Sequence, residues 1–397
     1  MLRGQNSKTM PHRITCQKCA NRRKGTDIFS DPIERASAVL EIDLSAIVTN
    51  WQLLAARVEP AACAAVVKAD GYGLGAVQVS AALAAAGCRL FFVATLDEAI
   101  KLRSALPGFC EIAVLNGPLP GSAEEFVLHR LVPVLNEPGQ IAEWANLADR
   151  HREPLAILHV DTGMARLGLT IPEFERLADE RSRRHAIRWR ALISHLACAD
   201  QPAHALNEMQ RWRFVTARKR FGDLPASLAA SSGIFLGRGF HFDFVRPGAA
   251  LYGINPQPGA PNPMGQVVRL KGRILQVREV DRGQSVGYGA AHVMDRPGRL
   301  ATVALGYADG WLRSLSDRGS ACLGGKRVPL AGRVSMDLAV FDVSAVDPSL
   351  ARRGDFIELL GDDYGVDAAA ADAGTIGYEL LTALGRRCHR AYRGATD

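Results

Sequence analysis

The feature that most constrains this chain is a regular alternation of short apolar runs with helical patterns, which begins near residue 64. Buried parallel strands are typically continuous apolar runs, and strands that alternate with helices indicate parallel pairing. The runs are Ala64–Val67, Phe91–Ala94, Ile112–Leu115, Val132–Leu135, Ala156–Val160, Leu192–His195, Ala226–Ala229 and Phe242–Val245. Together they predict eight parallel strands.

Helical patterns fill the intervals between these runs. In the last of them, Met209, Trp212 and Val215 recur at helical spacing. The predicted helices include Val77–Ala86, Leu96–Leu106, Ile141–His151, Ile171–Arg184 and Asn207–Phe221. Eight strand–helix units favour an α/β fold of the (β/α)8 TIM-type barrel class over an open sheet.

The alternation of strand and helix patterns ends at the Pro/Gly-rich stretch NPQPGAPNPMG, residues 255–265. The following segments VVRLKGRILQVREV, RLATVALG, RVPLAGRVSMDLAVFDV and FIELLG have strand character and are separated by turn signals. We therefore expect a barrel domain over 37–265 and a mainly β C-terminal domain over 266–397. The early apolar run Val39–Ile42 fits either domain.

Charge and composition exclude several classes of function. The formal net charge is +7, but residues 1–36 carry +5 of it, which leaves a nearly neutral body. Such a body argues against nucleic-acid binding. Residues 1–36 have no apolar core of a secretory signal, so we expect a disordered basic extension, or a true start at Met10. No apolar run is long enough to span a membrane.

The eight cysteines are scattered, which does not suit a disulfide framework and is typical of a reducing cytoplasm. Cys16 and Cys19 form a single CxxC pair. A structural zinc site needs four ligands, and no second pair accompanies this one, so we expect no metal.

Polar residues follow five of the predicted strands, and in a barrel the C-terminal ends of the strands carry the chemistry. A single polar residue at a strand end is usually there only because it is exposed to solvent. Polar residues at five strand ends of one barrel indicate a shared site. The residues are Lys68, Asp161 with Arg166, His195, Ser231 with Ser232, and Arg246 with Gly248.

This set of side chains matches the needs of pyridoxal 5'-phosphate. A partly desolvated Lys68 becomes a nucleophilic amine that can react with an aldehyde. Serine hydroxyls and the backbone amides of Gly248 and Ala249 suit a phosphate dianion, to which Tyr72 can add its hydroxyl. A histidine can stack on the cofactor ring.

Eight motifs, in order, give the chain a specific resemblance. They are AVVKADGYGLG, VDTGMARLGL, SHLACAD, VRPGAALYG, VGYGAAH, ALGYADGWLR, GRVSMDL and TIGYELLTALGRRCHRAY. In this order they resemble the alanine racemase family over residues 37–397. The resemblance implies a pyridoxal 5'-phosphate barrel followed by a β-rich domain, working as a head-to-tail homodimer.

The resemblance also implies two catalytic bases. Lys68 would bind the cofactor covalently and serve as one base, and Tyr288 would reach the site from the partner subunit as the other. An ordinary tyrosine has a pKa of about 10, so Tyr288 needs help near neutrality. By the family pattern His195 lies near Tyr288 and hydrogen-bonds Arg246, which faces the ring nitrogen and cannot readily give up its proton.

The remaining roles also follow from the resemblance. Arg166 would contact the ring hydroxyl and the substrate carboxylate, and Met336, from across the dimer interface, would line the substrate position. Phosphate would be held by Tyr72, Ser232, Gly248, Ala249 and Tyr378. Positions that match the family's access corridor are Asp200, Tyr307, Arg313, Arg333 and Asp337.

The sequence departs from the family pattern at a few positions. His159 stands where many members have a carbamylated lysine that steadies the neighbouring arginine. Imidazole cannot form that stable carbamate, so either another anion or Asp161 would balance Arg166, or His159 is simply a satisfied barrel histidine. Three other positions also differ, namely Leu74, Ser231 and Gly377.

We therefore expect a cytoplasmic alanine racemase that interconverts L- and D-alanine and supplies D-alanine for peptidoglycan. A broader racemase acting on serine or basic amino acids is the nearest alternative. A barrel decarboxylase is disfavoured, because such enzymes usually set a carboxylate where Arg246 stands. A non-catalytic pyridoxal phosphate-binding protein would lack the β domain and Tyr288.

Overall fold

The computed structural model describes residues 32–148, 155–180, 186–222 and 224–394. The predicted basic extension, residues 1–36, lies outside these residues except for its end, where α1 (Pro32–Arg35) forms one helical turn. Cys16 and Cys19 also lie outside the described residues. None of the described helices combines the length and the apolar character needed to cross a membrane.

The predicted eight-stranded parallel barrel is confirmed. Seven strands, β3 to β9, pair in parallel in chain order. β10 closes the ring, because it pairs with β2, and because the Asp243 and Arg246 amides each donate to a carbonyl of the β9 segment at 3.0 Å. The strands are β2 (Ala62–Cys63), β3 (Ala65–Val66), β4 (Leu90–Val93), β5 (Glu111–Val114), β6 (Val132–Leu135), β7 (Leu155–His159), β8 (Arg188–Ile193), β9 (Ala226–Ser227) and β10 (Phe244–Val245).

Helices surround this ring, and each of the five that the sequence predicted is present. The described helices are α2 (Leu44–Val58), α3 (Lys68–Tyr72), α4 (Ala76–Ala85), α5 (Leu96–Arg103), α6 (Ala123–Leu128), α7 (Pro138–Ala148), α8 (Ile171–Asp179) and α9 (Ala205–Phe221). In α9 the buried face carries Phe214 and Phe221, whereas Met209 and Trp212 are exposed. The helical spacing of Met209 and Trp212 therefore marks the outer face of this helix.

Side chains from alternating strand positions fill the barrel interior. The ring of Phe92 lies parallel to that of Phe244, with centroids 6.4 Å apart. The interior cluster is Ala64, Val66, Phe92, Ala113, Val132, Val134, Ile157, Ala191, Ile193 and Phe244. The barrel is therefore a packed core, and any site must lie at one of its ends.

The C-terminal region is built on an eight-stranded sheet centred on β11, whose 13 residues pair with β1, β14 and β18. β1 precedes the barrel in the chain but lies in this sheet, antiparallel to β11 and parallel to β19. The remaining elements are β1 (Ala38–Asp43), β11 (Val268–Val280), β12 (Ser285–Val286), β13 (His292–Val293), β14 (Gly298–Val303), β15 (Ser320–Leu323), β16 (Lys326–Pro329), β17 (Ala339–Asp342), β18 (Phe356–Leu360), α10 (Val366–Asp372), α11 (Gly377–Ala383) and β19 (His389–Arg393).

Candidate active site

Lys68 lies two residues beyond β3, at the start of a turn with unusual backbone geometry. Ala69, Asp70 and Tyr72 have φ values of 53°, 53° and 56°, in the left-handed region. Each non-glycine residue there costs roughly 1–2 kcal/mol, so the surrounding structure must hold the turn in place. A local left-handed turn thus determines where Lys68 and Tyr72 lie.

Glu98 and the C-terminal strand hold this turn from two sides. One carboxylate oxygen of Glu98 accepts a hydrogen bond from the Ala69 amide at 2.6 Å, and the other accepts from the Ala94 amide at 2.8 Å. Arg390 donates to the carbonyl of Gly73 at 2.9 Å, and the Tyr392 hydroxyl donates to that of Leu74 at 3.0 Å. The β-rich region therefore supports the Lys68 turn directly.

The surroundings of Lys68 favour its neutral amine. Burial lowers the pKa of Lys68, the positive charge of Arg166 lowers it further, and Glu98 partly offsets both effects. A lysine with a lowered pKa has a larger fraction of nucleophilic amine near neutrality. The side chain thus has the chemistry that the sequence predicted for it.

Two histidines share this cationic environment and remain neutral. Burial and the charge of Arg246 lower the pKa of His159 to about 3, and the same two causes lower the pKa of His195 to about 3. Arg166 also acts on both rings, and Lys68 acts on His195. Lys68, Arg166, His159, His195 and Arg246 therefore form one electrostatic cluster, although they come from separate strand ends.

Arg246 is the most deeply buried cation of this cluster, with 5% of its surface exposed. Its guanidinium donates to the carbonyls of Ser194 and Leu228 and lies 5.9 Å from the centroid of the Phe92 ring. Burial lowers the pKa of Arg246 to about 10. The resemblance implied a bond from His195 to Arg246; among the described residues the bond is instead to the neighbouring Ser194 carbonyl.

The Nε atom of Arg246 is buried and has no hydrogen-bond partner among the described residues. Orphaned buried donors are rare in folded proteins, because each costs about 1–3 kcal/mol. A ligand with an acceptor atom, such as a pyridine nitrogen, would satisfy this N–H. This atom gives an independent test of the expected cofactor, and the cofactor fits.

Tyr72, Gly248, Ser231 and Tyr378 lie at the end of the site where a phosphate was expected. A Cβ atom built on Gly248 would lie 2.3 Å from the Tyr72 hydroxyl, so only glycine leaves room for that hydroxyl. The Tyr72 ring packs against Tyr252 at 4.6 Å and against the edge of Tyr378 at 6.3 Å. Burial raises the pKa of both Tyr72 and Tyr378, which keeps their hydroxyls protonated as donors.

The two serines of this end differ in what they contact. Ser231 is buried, and its hydroxyl accepts hydrogen bonds from the Gly248 and Ala250 amides at 3.1 Å each. Ser231 thereby orders the backbone around Gly248 and Ala249. Ser232 is half-buried at the start of a 3-10 turn and is the serine left to meet a ligand.

Asp161 organises the loop that carries Arg166. Its two carboxylate oxygens accept from the amides of Gly163, Met164 and Ala165, each at 2.8 Å. Sequence reasoning left open that Asp161 balances the charge of Arg166. In the structure its hydrogen bonds shape the loop backbone, and they leave the exposed Arg166 at its tip.

Tyr288 and Met336 lie on the β-rich region, and among the described residues no hydrogen bond, ion pair or ring contact joins them to the Lys68 cluster. Tyr288 begins a short 3-10 turn between β12 and β13 and is 73% exposed, and Met336 is 54% exposed. A Cβ atom on Gly289 would lie 2.8 Å from the Arg333 guanidinium, which places Arg333 beside the Tyr288 turn. A single chain thus holds the two expected bases in different places.

The residues expected in an access corridor also divide between two locations. Arg313 and Arg333 line a cavity of about 410 Å³ together with Ser314, Ser316 and Arg318. Asp200 acts electrostatically on the Tyr378 hydroxyl, and so lies with the Lys68 side of the site. Tyr307 is 42% exposed, and Asp337 forms an ion pair with Arg387 at 2.7 Å.

Sequence reasoning missed the parts played by Glu98 and Asn136. Glu98 belongs to a capping box with Thr95, and the T-x-x-E signature of that box is visible in the sequence. Its further bond to Ala69 is a long-range contact that no local pattern indicates. Asn136 hydrogen-bonds His159 at 2.8 Å and likewise carries no local signal.

Known protein families match both the barrel and the β-rich region of this chain. Residues 42–256 match the family model described as "Alanine racemase, N-terminal domain", and residues 267–392 match "Alanine racemase, C-terminal domain". Alanine racemase from Rhodospirillum rubrum is 51% identical over 366 residues, which cover 92% of this chain and 98% of the relative. A catabolic alanine racemase from Mesorhizobium japonicum is 50% identical, with coverage of 90% and 94%.

Among solved structures, alanine racemase from Bartonella henselae with covalently bound pyridoxal phosphate has a TM-score of 0.87. It is 40% identical and covers 90% of this chain and all of its own. The motif order, the barrel with its β-rich companion, the Lys68 cluster and these matches agree. The chain is a member of the alanine racemase family.

Proposed function

We propose that this chain interconverts L- and D-alanine, with pyridoxal 5'-phosphate as cofactor and Lys68 and Tyr288 as the two proton-transferring bases. The observation that carries the proposal is the cluster at the barrel end. A lysine with a lowered pKa there lies in one electrostatic environment with a buried arginine whose Nε lacks an acceptor. This cofactor contains an aldehyde for the amine, a ring nitrogen for Arg246 and a phosphate for the Tyr72 end.

When bound, the cofactor supplies an electron-withdrawing ring that acidifies the Cα–H bond of the amino acid. Lys68 would bind its aldehyde carbon with release of water, and Arg246 would donate a hydrogen bond from Nε to its ring nitrogen. The hydroxyls of Tyr72, Ser232 and Tyr378 and the Ala249 amide would hold the phosphate, and Gly248 would allow its close approach because it has no side chain. Ser231 fixes this stretch of backbone, since its hydroxyl accepts the Gly248 and Ala250 amides.

Arg246 donates a hydrogen bond without giving up its proton. Its pKa is lowered only to about 10, so the guanidinium remains charged at neutral pH. Arg246 would therefore leave the ring nitrogen without a proton, and the electron withdrawal that the ring supplies would be only moderate. This arrangement favours rapid return of the proton to Cα over side reactions.

The two bases act on opposite faces of the substrate. The Lys68 amine, freed when the amino group of the substrate takes its place on the aldehyde carbon, would remove or return the proton on one face, and the Tyr288 hydroxyl would do so on the other. Arg166, held at the tip of its Asp161-ordered loop, binds the substrate carboxylate. Met336 lines the substrate position, and Tyr288 and Tyr378 narrow it toward a small side chain.

A second copy of the chain provides Tyr288 and Met336. Both side chains are large and well exposed, and among the described residues neither has a hydrogen bond, ion pair or ring contact with the Lys68 cluster of its own chain. A two-fold homodimer, the commonest assembly, would let each copy complete the other's site. The dimer also explains why a hydroxyl meant for proton transfer lies on the β-rich region.

The same proposal divides the chain into an extension over 1–36, a barrel domain over 37–265 and a β-rich domain over 266–397. The strand β1 precedes the barrel in the chain but pairs with β11 and β19 in the sheet of the β-rich domain. The first family-model match ends at residue 256 and the second begins at residue 267, on either side of the proposed boundary at 265. We further propose a cytoplasmic enzyme that supplies D-alanine for peptidoglycan. The six cysteines among the described residues are free thiols, as a reducing compartment maintains.

The experiment is to incubate the purified chain with pyridoxal 5'-phosphate and L-alanine and to follow D-alanine by chiral chromatography. L-Serine and L-lysine are tested in parallel. We expect D-alanine with the wild-type chain and none with Lys68→Ala. If serine or lysine is converted but alanine is not, the chain is the broader racemase. If no D-amino acid forms although the cofactor is bound, the proposal that the chain is a racemase is refuted.

A further inference from the structure

We propose that His159 is a positioning residue for Arg166: it is a neutral imidazole whose Nε2 atom offers the acceptor that the Arg166 guanidinium meets when that side chain turns to bind the substrate carboxylate. Asn136 fixes the tautomer that makes this possible. The proposal rests on the proposed function in one respect, namely that Arg166 binds the substrate carboxylate. It assigns this chain a neutral support where many family members have a charged one.

The orientation of the Asn136 amide follows from its hydrogen bonds. Asn136 is buried, and its Nδ2 atom donates to the carbonyls of Leu115 at 3.0 Å and of Val134 at 2.9 Å. Carbonyl oxygens only accept, so the NH2 group must face them. The Oδ1 atom therefore faces His159, whose Nδ1 lies 2.8 Å away and must be the donor.

Burial and the surrounding charge then decide the state of the other nitrogen of His159. Burial is the main cause that lowers the pKa of His159 to about 3; Arg246 and Arg166 also lower it, and Asp161 acts in the opposite direction. The ring is therefore neutral at physiological pH. With the proton on Nδ1, the lone pair of a neutral imidazole lies on Nε2, which can only accept.

The loop that carries Arg166 lies against the edge of the ring that bears Nε2. A Cβ atom built on Gly168 would lie 3.0 Å from His159 Cδ2, the carbon bonded to Nε2. The Leu169 amide donates to the His159 carbonyl at 2.9 Å, which fixes the loop to the end of β7. The acceptor atom and the arginine that bears donors are therefore neighbours.

Arg166 has donors to offer. Within residues 32–148, 155–180, 186–222 and 224–394, no hydrogen bond or ion pair engages its guanidinium. Asp161, the nearby anion, already accepts three backbone amides. The free lone pair of His159 is the acceptor that this geometry leaves for Arg166.

Two substitutions of His159 separate this role from simple packing. Glutamine can place an acceptor oxygen near the position of Nε2, whereas asparagine reaches only the position of Nδ1 and keeps the contact with Asn136. We expect His159→Asn to raise the KM for L-alanine about tenfold with a smaller change in kcat, as loss of one hydrogen bond to a charged group implies. We expect His159→Gln to stay within about threefold of wild type. Equal KM values for wild type and His159→Asn would overturn the proposal.

The tautomer can be measured without any turnover. In the chain labelled with 15N-histidine, we expect His159 to show a protonated Nδ1 and an unprotonated Nε2 from pH 5 to pH 8. A protonated Nε2, or a doubly protonated ring at pH 6, would overturn the proposal. These results stand even where wild type makes no D-alanine, so failure of the proposed function and failure of this inference are distinguishable.

A third test of the role of His159 uses bicarbonate. Because His159 supports Arg166 without a carbamate, we expect the wild-type rate in carbonate-free buffer to equal the rate with about 20 mM bicarbonate, an excess that would fill a weak anion site by mass action. In His159→Lys we expect bicarbonate to increase the rate, because a lysine can form the carbamate. A bicarbonate-dependent wild type would contradict the assignment, since an added anion would then be supporting Arg166.

Discussion

Glu98 gives the sharpest test of how the strained turn at Lys68 is held. It uses both carboxylate oxygens: one accepts from the Ala69 amide at 2.6 Å, and the other accepts from the Ala94 amide at 2.8 Å and the Thr95 amide at 3.3 Å. Glutamine has the same shape but only one acceptor oxygen. In Glu98→Gln, therefore, one of the two sides must face an NH2 group and lose its bond.

Glu173 is a matched control for this change. It completes the capping box of α8 as Glu98 completes that of α5, but it accepts through a single oxygen, from the Thr170 amide at 2.9 Å and the Thr170 hydroxyl at 2.8 Å. Glu173→Gln can therefore keep its accepted bonds. A hydrogen bond to a charged group contributes about 1.5–3 kcal/mol, so we expect Glu98→Gln to lower the free energy of unfolding by about 2 kcal/mol and Glu173→Gln by about 0.5 kcal/mol.

The assay is urea unfolding of both variants at pH 7, read from the midpoint at constant slope. A second readout follows from the charge, because Glu98 raises the pKa of Lys68. In Glu98→Gln the pKa of Lys68 falls further, so the pH at which cofactor binding is half-maximal shifts downward, whereas in Glu173→Gln it does not. Equal destabilisation of the two variants and an unmoved pH profile would refute the role of Glu98 in holding the turn.

Two further predictions concern the cofactor end and the histidines. Gly248→Ala puts a methyl group where the Tyr72 hydroxyl lies, so the Kd for pyridoxal 5'-phosphate, measured by fluorescence titration, should rise at least about tenfold. Gly108→Ala serves as control, because a Cβ atom there meets nothing closer than the Arg130 guanidinium at 3.9 Å. His159 and His195 are neutral in the folded chain, with pKa values lowered to about 3, and take up protons only on unfolding. Unfolding therefore binds protons between pH 6.5 and pH 3, so stability should fall as pH drops below about 6.5, by roughly 2 kcal/mol per histidine at pH 5. Urea midpoints of wild type and His195→Gln at pH 7 and pH 5 check this, and equal losses in the two chains would contradict it.

The barrel could be predicted from the sequence because its signals are local. Parallel strands buried on both faces read as apolar runs, and all eight were found within a few residues of their observed bounds, with β6 matched at Val132–Leu135. Some helices were missed, among them α2 and α6. The strand β1 could not be assigned, because only its pairing with β11 and β19 decides which sheet it joins.

The site could be predicted in its residues but not in its geometry. The C-terminal ends of the strands all lie at the same end of a barrel, so the fold alone brings together the residues that follow them. These residues include Lys68, Arg166, His195 and Arg246. The left-handed turn after Lys68 could not be predicted, because alanine and tyrosine rarely adopt positive φ and the turn depends on Glu98 and other distant contacts. The state of His159 likewise depends on Asn136, 23 residues away in sequence.

The central claim is that Lys68 of one copy and Tyr288 of another complete each site, and subunit complementation tests it most directly. Lys68→Ala and Tyr288→Phe are each expected to be inactive as purified homodimers. If the two are mixed and allowed to exchange, half of the dimers become mixed, and one of the two sites in each mixed dimer is intact. We therefore predict recovery to about a quarter of the wild-type D-alanine rate. A mixture that stays as inactive as its parents after verified exchange would contradict the claim.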